Sequence, residues 1–249
     1  NEYAQKTVTN LAQELSLAPE AVSQVLGTLQ QRNQITIISE KPEWSVAHAA
    51  HFQGARQAIL GYLKNFHQEH PMLWGIKKSE LRERLFGKMS SSLFDALLAT
   101  LLQENSVISK DEKIFLAGHE IRFTPQQQEI KKQVEQIYLT REYVTPGWDE
   151  IVTEVAGKPK DILDVVTGLI ELGVLVEIKY YEKPAIFHKQ NIDKAQKILV
   201  NYLKQHGEIR LGEFREMINS TRKFATPILV YFDQNGVTER EGEIRRLAG

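Results

Sequence analysis

An apolar quartet spaced i, i+3, i+4 and i+7 occurs four times along the chain: Val22, Val25, Leu26 and Leu29; Phe94, Leu97, Leu98 and Leu101; Ile162, Val165, Val166 and Leu169; Ala225, Ile228, Leu229 and Phe232. That spacing lines one face of an α-helix, which turns once every ~3.6 residues. The intervals between quartets are unequal and exceed the roughly 20–45 residues of a tight solenoid unit. Separate small domains are expected, rather than one continuous stack.

The flanks of each quartet are alike as well. Asn33, Asn105, Gly173 and Gly236 close the four helices, and these residue types enter the left-handed backbone region most readily. A hairpin pattern follows each. In the first it spans 35–38, a turn at Glu40-Lys41-Pro42, and 44–47; in the third, 174–178, a turn at Glu182-Lys183-Pro184, and 185–187. The second and fourth turn at Asp111-Glu112 and Glu241-Gly242. Before each quartet lies a short amphipathic segment, at residues 8–15, 79–86, 148–155 and 211–218. Before that runs a longer helix, carrying Ile59, Leu63 and Phe66, then Ile130, Val134 and Ile137, then Ile198, Leu199 and Tyr202. The first stretch has only Asn1 to Lys6 ahead of its short segment, so its long helix reads as cut away.

Helix, short helix, quartet helix and β-hairpin is the order of a winged helix. The expected fold is mainly α with small β-hairpins (α+β), a tandem array of four winged-helix domains at residues 1–50, 51–122, 123–189 and 190–249. Domains of about 50–70 residues have marginal cores alone, so docked pairs are expected. Pro19 and Pro159 suit first helical turns. Pro227 either kinks a helix that runs from Ser220 or starts one with Thr226 as N-cap.

Composition narrows what such domains do. With 42% hydrophobic and 25% charged residues the chain is ordinary for a soluble globular protein. Its longest apolar run, residues 228–232, is far below the roughly 18 residues of a membrane span, and no amino-terminal signal pattern is present. A cytoplasmic protein with no membrane partner is expected. The absence of cysteine excludes disulfides and thiolate metal sites. The glycines form neither a dinucleotide-binding loop nor a Walker A loop. His48 with His51, and His67 with His70, could share helical faces but lack the further ligands a metal requires. The carboxylates alternate with bases, as in Glu80-Leu81-Arg82-Glu83-Arg84, and read as solvated faces. This segment is therefore expected to be non-catalytic, without cofactor or metal. Beginning at Asn1, it reads as a fragment or a processed product.

A net charge of −1 means that any nucleic-acid contact must come from a local cluster. The fourth stretch holds ten lysines and arginines against eight acids, so its arrangement matters more than its bias. Thr221, Arg222 and Lys223 fall at the start of the quartet helix; Arg240, Arg245 and Arg246 fall on the hairpin. Those two places face a ligand together in a helix-turn-helix, and a helix amino terminus suits phosphate. Solvated surface charge is the competing reading. Phe224, Tyr231 and Phe232 read as core, and so do Trp74 and Trp148 beside short helices.

The stretch beginning Ile209-Arg210-Leu211-Gly212-Glu213-Phe214-Arg215, continuing through Thr221-Arg222-Lys223-Phe224-Ala225-Thr226-Pro227, and ending Gly242-Glu243-Ile244-Arg245-Arg246-Leu247 resembles the carboxy-terminal end of bacterial selenocysteine-specific translation elongation factors. The resemblance implies an extension of four winged-helix domains that holds an mRNA hairpin, the selenocysteine insertion element, beside a UGA codon on the ribosome. It also implies an upstream part that binds GTP with magnesium and carries selenocysteyl-tRNA. By the same resemblance Arg222 and Lys223 are the helix pair, Thr221 the small hydroxyl before it, and Arg240 and Arg245 the basic wing. Arg210, Arg215 and Arg246 complete the candidate RNA-binding set. Glu239 stands where the family has a basic residue, which moves weight from wing to helix. A winged-helix array for protein assembly and a duplex DNA-binding regulator are the alternatives that fit the same pattern.

Overall fold

The computed structural model describes residues 5–39, 44–182 and 184–249. The turn expected at Glu40-Lys41-Pro42, and Lys183 of the turn at 182–184, lie outside the described residues. The chain forms two compact units, one up to Glu120 and one from Ile121 onward.

The first unit opens with strand β1 (Lys6–Thr7), helices α1 (Val8–Leu15) and α2 (Pro19–Gln31), and hairpin β2 (Ile35–Ser39) and β3 (Ser45–His48), in sheet order β1-β3-β2. It continues with α3 (Ala49–Glu69), β4 (Ile76–Lys77), α4 (Lys78–Phe86), α5 (Ser91–Gln103), β5 (Val107–Lys110) and β6 (Lys113–Leu116), in sheet order β4-β6-β5. The second unit holds α6 (Pro125–Thr140), α7 (Trp148–Glu154), α8 (Pro159–Glu171) and the two-stranded hairpin β7 (Leu175–Ile178) and β8 (Ala185–His188). After these come α9 (Lys189–His206), β9 (Ile209–Arg210), α10 (Leu211–Met217), α11 (Arg222–Gln234), β10 (Thr238–Glu241) and β11 (Ile244–Leu247), in sheet order β10-β11-β9. Helices and small sheets thus mix as α+β.

The four quartets lie on α2, α5, α8 and α11, each 13 residues long. The closing residues Asn33, Asn105, Gly173 and Gly236 all have positive φ, between 54° and 72°. Each lets the chain reverse from the helix into its hairpin. Burial separates the first quartet from the rest. Leu97, Val165 and Ile228 are fully enclosed, whereas Val25 at the same position is 54% exposed. In the other three sets a long helix precedes the short one and closes over this face; among the described residues none precedes α1. Leu15 and Leu17 stay exposed beside it.

Within each unit the cores are shared. Ala47 and Ile38 of the first set pack into the cluster built on Ile59, Leu63 and Leu97. Tyr143, Ile178 and Phe187 of the third set pack into the cluster built on Leu199, Phe214 and Ile228. Burying one such side chain is worth about 1.5–3 kcal/mol, so pairing enlarges cores that would be small alone. The first and third hairpins pass directly into the next long helix, and the histidine at each of these two junctions caps it: the Ala50 amide donates to His48 Nδ1 at 3.3 Å and the Gln190 amide to His188 Nδ1 at 3.2 Å.

Several expectations need correction. The apolar buried stripe of α9 is Ile192, Ala195, Leu199 and Leu203, so of the expected residues Leu199 lies on it while Ile198 and Tyr202 are only half-buried. Trp148 is not a packing residue; it opens α7 with 43% of its surface exposed. The last hairpin turns at Gly242-Glu243, one residue later than expected, because Glu241 still pairs with Ile244. Pro227 lies inside α11, whose N-cap is Thr221.

Two packing features of the first unit were not visible in sequence. Gly75 leads into β4 so close to β6 that an added Cβ would sit 2.3 Å from the Ile114 carbonyl oxygen. His67 and His119 stack face to face with centroids 3.8 Å apart. The Nε2–H of each donates to a backbone carbonyl, of Trp74 at 3.1 Å and of Leu73 at 2.8 Å. Burial, then the charge of His119, pulls the His67 pKa down from 6.5 to about 4, against a smaller upward effect of the Trp74 hydrogen bond.

Gly75→Ala is expected to cost about 1–3 kcal/mol by forcing β4 away from β6, read as a lowered urea midpoint. An unchanged midpoint would show that the strands have slack. His67 predicts a pH dependence. Its folded pKa lies below its unfolded value, so its contribution is complete above pH 6.5 and is lost as pH falls toward 4. After solvent screening the loss is about 1–2 kcal/mol, and a His67→Gln chain should lack that slope.

Candidate nucleic-acid interface

The candidate surface is built where α10, the start of α11 and the last hairpin meet. α10 begins at Arg210 because Glu213, three residues on, accepts the Arg210 amide at 2.7 Å, the reciprocal half of a capping box. The chain then reverses at Asn219, with φ of 48°, and α11 starts after Thr221. This turn is anchored from the third set. Ser220 Oγ donates to the Tyr143 carbonyl at 2.7 Å, and the Phe224 ring meets Phe187 edge to face at 6.2 Å. Burial, and secondarily the nearby Glu142 carboxylate, pushes the Tyr143 phenol up to about 12, so it stays neutral beneath the turn.

The eight candidate residues divide by environment. Thr221, Arg222 and Lys223 are all exposed on the first turn of α11. The Thr221 side chain makes no capping hydrogen bond, and its carbonyl accepts the amides of Phe224 and Ala225. Lys223 Nζ lies 5.0 Å from the centroid of the Phe224 ring, a cation–π contact that steadies the side chain without neutralising it. Arg222 shares a cleft of about 480 Å³ with Arg210 and Arg215, opposite the carboxylates of Glu213, Glu216 and Glu243. Arg215 is paired there with Glu216 at 3.1 Å. Arg210 and Arg222 meet no carboxylate among the described residues within ion-pair distance. The Tyr202 hydroxyl donates to Glu213 at 3.2 Å; desolvation and that hydrogen bond raise its pKa.

The hairpin arginines are held differently. Arg240 folds onto its own turn, Nε donating to the Gly242 carbonyl at 2.8 Å. Arg246 bridges Glu208 at 3.1 Å and Glu241 at 3.0 Å. Arg245 points inward. It is 5% exposed, and its guanidinium forks onto Asp233 through Nε at 3.0 and 3.1 Å and Nη2 at 3.0 Å, while Thr238 Oγ1 donates to the same carboxylate at 2.6 Å. Strand alternation explains the split: Arg245 and Arg246 are neighbours on β11 and face opposite sides. Arg245 therefore ties the wing to the end of α11, and the surface open to a ligand is Arg210, Thr221, Arg222 and Lys223 with Arg215 behind them.

Sequence reading missed the acids of this cleft. Glu213 was legible as the third residue after Arg210, the capping-box spacing; Glu243 enters only through the position of the turn. Among the described residues no group of three or more histidines and carboxylates could hold a metal ion, and no single helix is long and apolar enough to cross a membrane.

A helix-turn-helix with a β wing, placed so that a helix amino terminus and a cationic cleft open on one side, defines a winged-helix protein with a nucleic-acid-type surface. Two segments agree with a particular family: residues 60–116 and residues 201–247 each match the model described as elongation factor SelB, winged helix. Residues 60–116 and 201–247 are thus similar to winged-helix domains of elongation factor SelB. It is 26% identical over 197 residues to the selenocysteine-specific elongation factor of Desulfomicrobium baculatum, covering 78% of this chain, and 23% identical over 192 residues to that of Escherichia coli strain K12, covering 75%. The chain spans 30% of the length of both curated relatives. Among solved structures, the mRNA-binding domain of elongation factor SelB from E. coli in complex with SECIS RNA overlaps 51% of this chain and all of its own, at 20% identity and a TM-score of 0.41. A bacterial selenocysteine-specific elongation factor overlaps 86% of this chain and 32% of its own, at 19% identity and a TM-score of 0.41.

Arg245→Ala is expected to destabilise the chain by about 2–4 kcal/mol, because it strands the Asp233 carboxylate in a mostly enclosed site. Equilibrium unfolding measures this directly. A loss below about 0.5 kcal/mol would return Arg245 to the ordinary surface charges.

Proposed function

We propose that this chain is the mRNA-hairpin-binding part of a selenocysteine-specific elongation factor, arranged as four winged-helix domains in tandem, of which the last grips the hairpin. The observation that carries this reading is the set of Arg210 at the start of α10 and Arg222 and Lys223 at the start of α11, with open head groups, inside the segment that matches the SelB winged helix. Hairpin loops present unstacked bases on a bent backbone, so a compact surface with a few cations can read shape and one or two splayed bases. Arginine at 222 can fork onto a base edge or a phosphate, while Lys223 supplies a point charge beside it. Thr221 offers a hydroxyl uncommitted to the helix.

In this reading the segment is non-catalytic, and Glu243 in the cleft acts as a filter: it opposes phosphate at one edge and confines the backbone to the helix side. The four domains are the sets at residues 1–50, 51–122, 123–189 and 190–249. The ribosome, selenocysteyl-tRNA, GTP and magnesium belong to the whole factor, working in the cytoplasm, and would engage it through parts upstream of this segment. The contact between Ser220 and Tyr143 favours one mechanical detail: the third domain fixes the start of the reading helix, so the cleft is preorganised before RNA arrives.

Arg222→Ala is expected to weaken binding of a selenocysteine insertion hairpin by about 1–3 kcal/mol when the contact is to a base, and to flatten the salt dependence when it is to phosphate. Fluorescence anisotropy across a salt series reads both. Equal affinity and equal slope in wild type and variant would remove the cleft from the binding surface, and preference for duplex DNA would point to the regulator instead.

A further inference from the structure

The long helix of the third set stops in a tight corner. α6 ends at Thr140, and the chain turns through Glu142, whose φ is 47°, into Tyr143. A side chain in that left-handed region costs free energy, and the carbonyls of a last helical turn lack intrahelical donors. Such a corner keeps its shape when groups outside it supply the missing hydrogen bonds. Two residues of the next set do so. Asn191, in the first turn of α9 and 5% exposed, donates through Nδ2 to the carbonyls of Tyr138 at 3.1 Å and Leu139 at 3.0 Å. Lys194, one turn further on, donates to Glu142 Oε1 at 2.8 Å.

The residue type at 191 is narrowly determined. Both partners are carbonyl oxygens, so the group facing them must offer two hydrogens at one atom, as a side-chain amide nitrogen does. Aspartate would set acceptor against acceptor, and alanine would leave both carbonyls without this donor. The first junction has no counterpart: His51, which follows the capping His48 as Asn191 follows the capping His188, is exposed.

The same corner reaches the start of α11. The Tyr143 carbonyl accepts the Ser220 hydroxyl at 2.7 Å, and the Tyr143 side chain is buried in the core of Leu199, Phe214 and Ile228. Ser220 immediately precedes Thr221, the N-cap of α11, and Arg222 opens that helix. Residues 138–143 therefore form a strut within the second unit, bonded to Asn191 at one end and to Ser220 at the other.

We propose that Asn191 is a positioning residue for hairpin binding: it touches no RNA and, through this strut, fixes where the first turn of α11 presents Arg222 and Lys223. The role rests on the reading of the last domain as the one that grips the hairpin. A surface already ordered loses less conformational entropy on binding, so loosening the strut lowers affinity while every phosphate contact remains. Salt dependence counts those contacts and stays the same, which separates Asn191 from Arg222.

The test uses the full chain and a selenocysteine insertion hairpin, with hydrogen exchange of the RNA-free protein measured alongside. N191A should weaken hairpin binding about three- to tenfold and leave the log–log salt slope within about 0.3 of wild type. The Phe224 and Ala225 amides, both bonded to the Thr221 carbonyl, should exchange faster, and those of β10 and β11 should not change. S220A cuts the same strut at a half-buried residue, should reproduce both effects, and decides alone if N191A fails to fold. S220T keeps the hydroxyl and should reverse them. N191A/S220A should bind within about twofold of the weaker single variant, because both changes break one connection. Unchanged exchange in both single variants, an altered salt slope, or losses that multiply in the double variant overturns the proposal. Faster exchange with hairpin affinity unaltered overturns it too. A wild-type chain that ignores the hairpin defeats the proposed function instead, and exchange at Phe224 and Ala225 still decides whether the strut holds α11.

Discussion

In the second, third and fourth sets the frame around the hairpin and the helix start depends on one feature, the burial of the quartet helix in the core it shares with the long helix that precedes it. Leu97, Val165 and Ile228 have no exposed surface, so the axes of α5, α8 and α11 are fixed by close packing rather than by local propensity. Once the axis is fixed, the amino terminus of the quartet helix and the hairpin after it have little freedom left. The left-handed residue at the helix end sets the direction in which the hairpin departs. The short helix then closes the third side, and a cleft results as a geometric consequence of the packing.

What distinguishes one cleft from another is therefore charge, laid over a common frame. In the fourth set the hairpin is braced from beneath by the Arg245, Asp233 and Thr238 network, which ties both strands to the end of α11. Removing either ion would leave the other stranded, so the network fixes wing position more than it adds net stability. In the second set the equivalent of Arg245 is Ile114, buried among hydrophobics, and the brace is apolar. With an apolar brace, no arginine of that wing is committed inward. The fourth wing, having committed one arginine inward and balanced Arg246 between Glu208 and Glu241, presents its positive charge through the helix instead.

Periodicity made most of the frame legible in the sequence. Four quartets, four closing Asn or Gly residues and the short segments before them mark the helices and the hairpins because each rests on spacing along one chain. What depended on partners across space was not legible. Val25 has the same spacing as Leu97, yet its exposure follows from what covers it. Arg245 and Arg246 are adjacent and chemically identical, yet strand alternation buries one and exposes the other. The constraint on Gly75 likewise comes from across space, from the Ile114 carbonyl beside it. Pro227 was ambiguous because both alternatives satisfy local rules; packing of Ala225 and Ile228 on the helix face decided for an uninterrupted α11.

The proline also has a physical consequence for the candidate surface. It cannot donate an amide hydrogen, so the carbonyl four residues earlier, that of Lys223, loses its helical donor. That carbonyl belongs to the exposed first turn, where water or a ligand donor can reach it. A helix whose opening turn is incompletely bonded to the next is locally easier to adjust than one with a full ladder. Its opposite face is nonetheless held rigidly by Phe224 against Phe187 and by the Ser220 to Tyr143 hydrogen bond. The turn bearing Arg222 and Lys223 thus combines a fixed base with a soft tip, a combination suited to an irregular loop, where position must be specified but side-chain contacts must adapt.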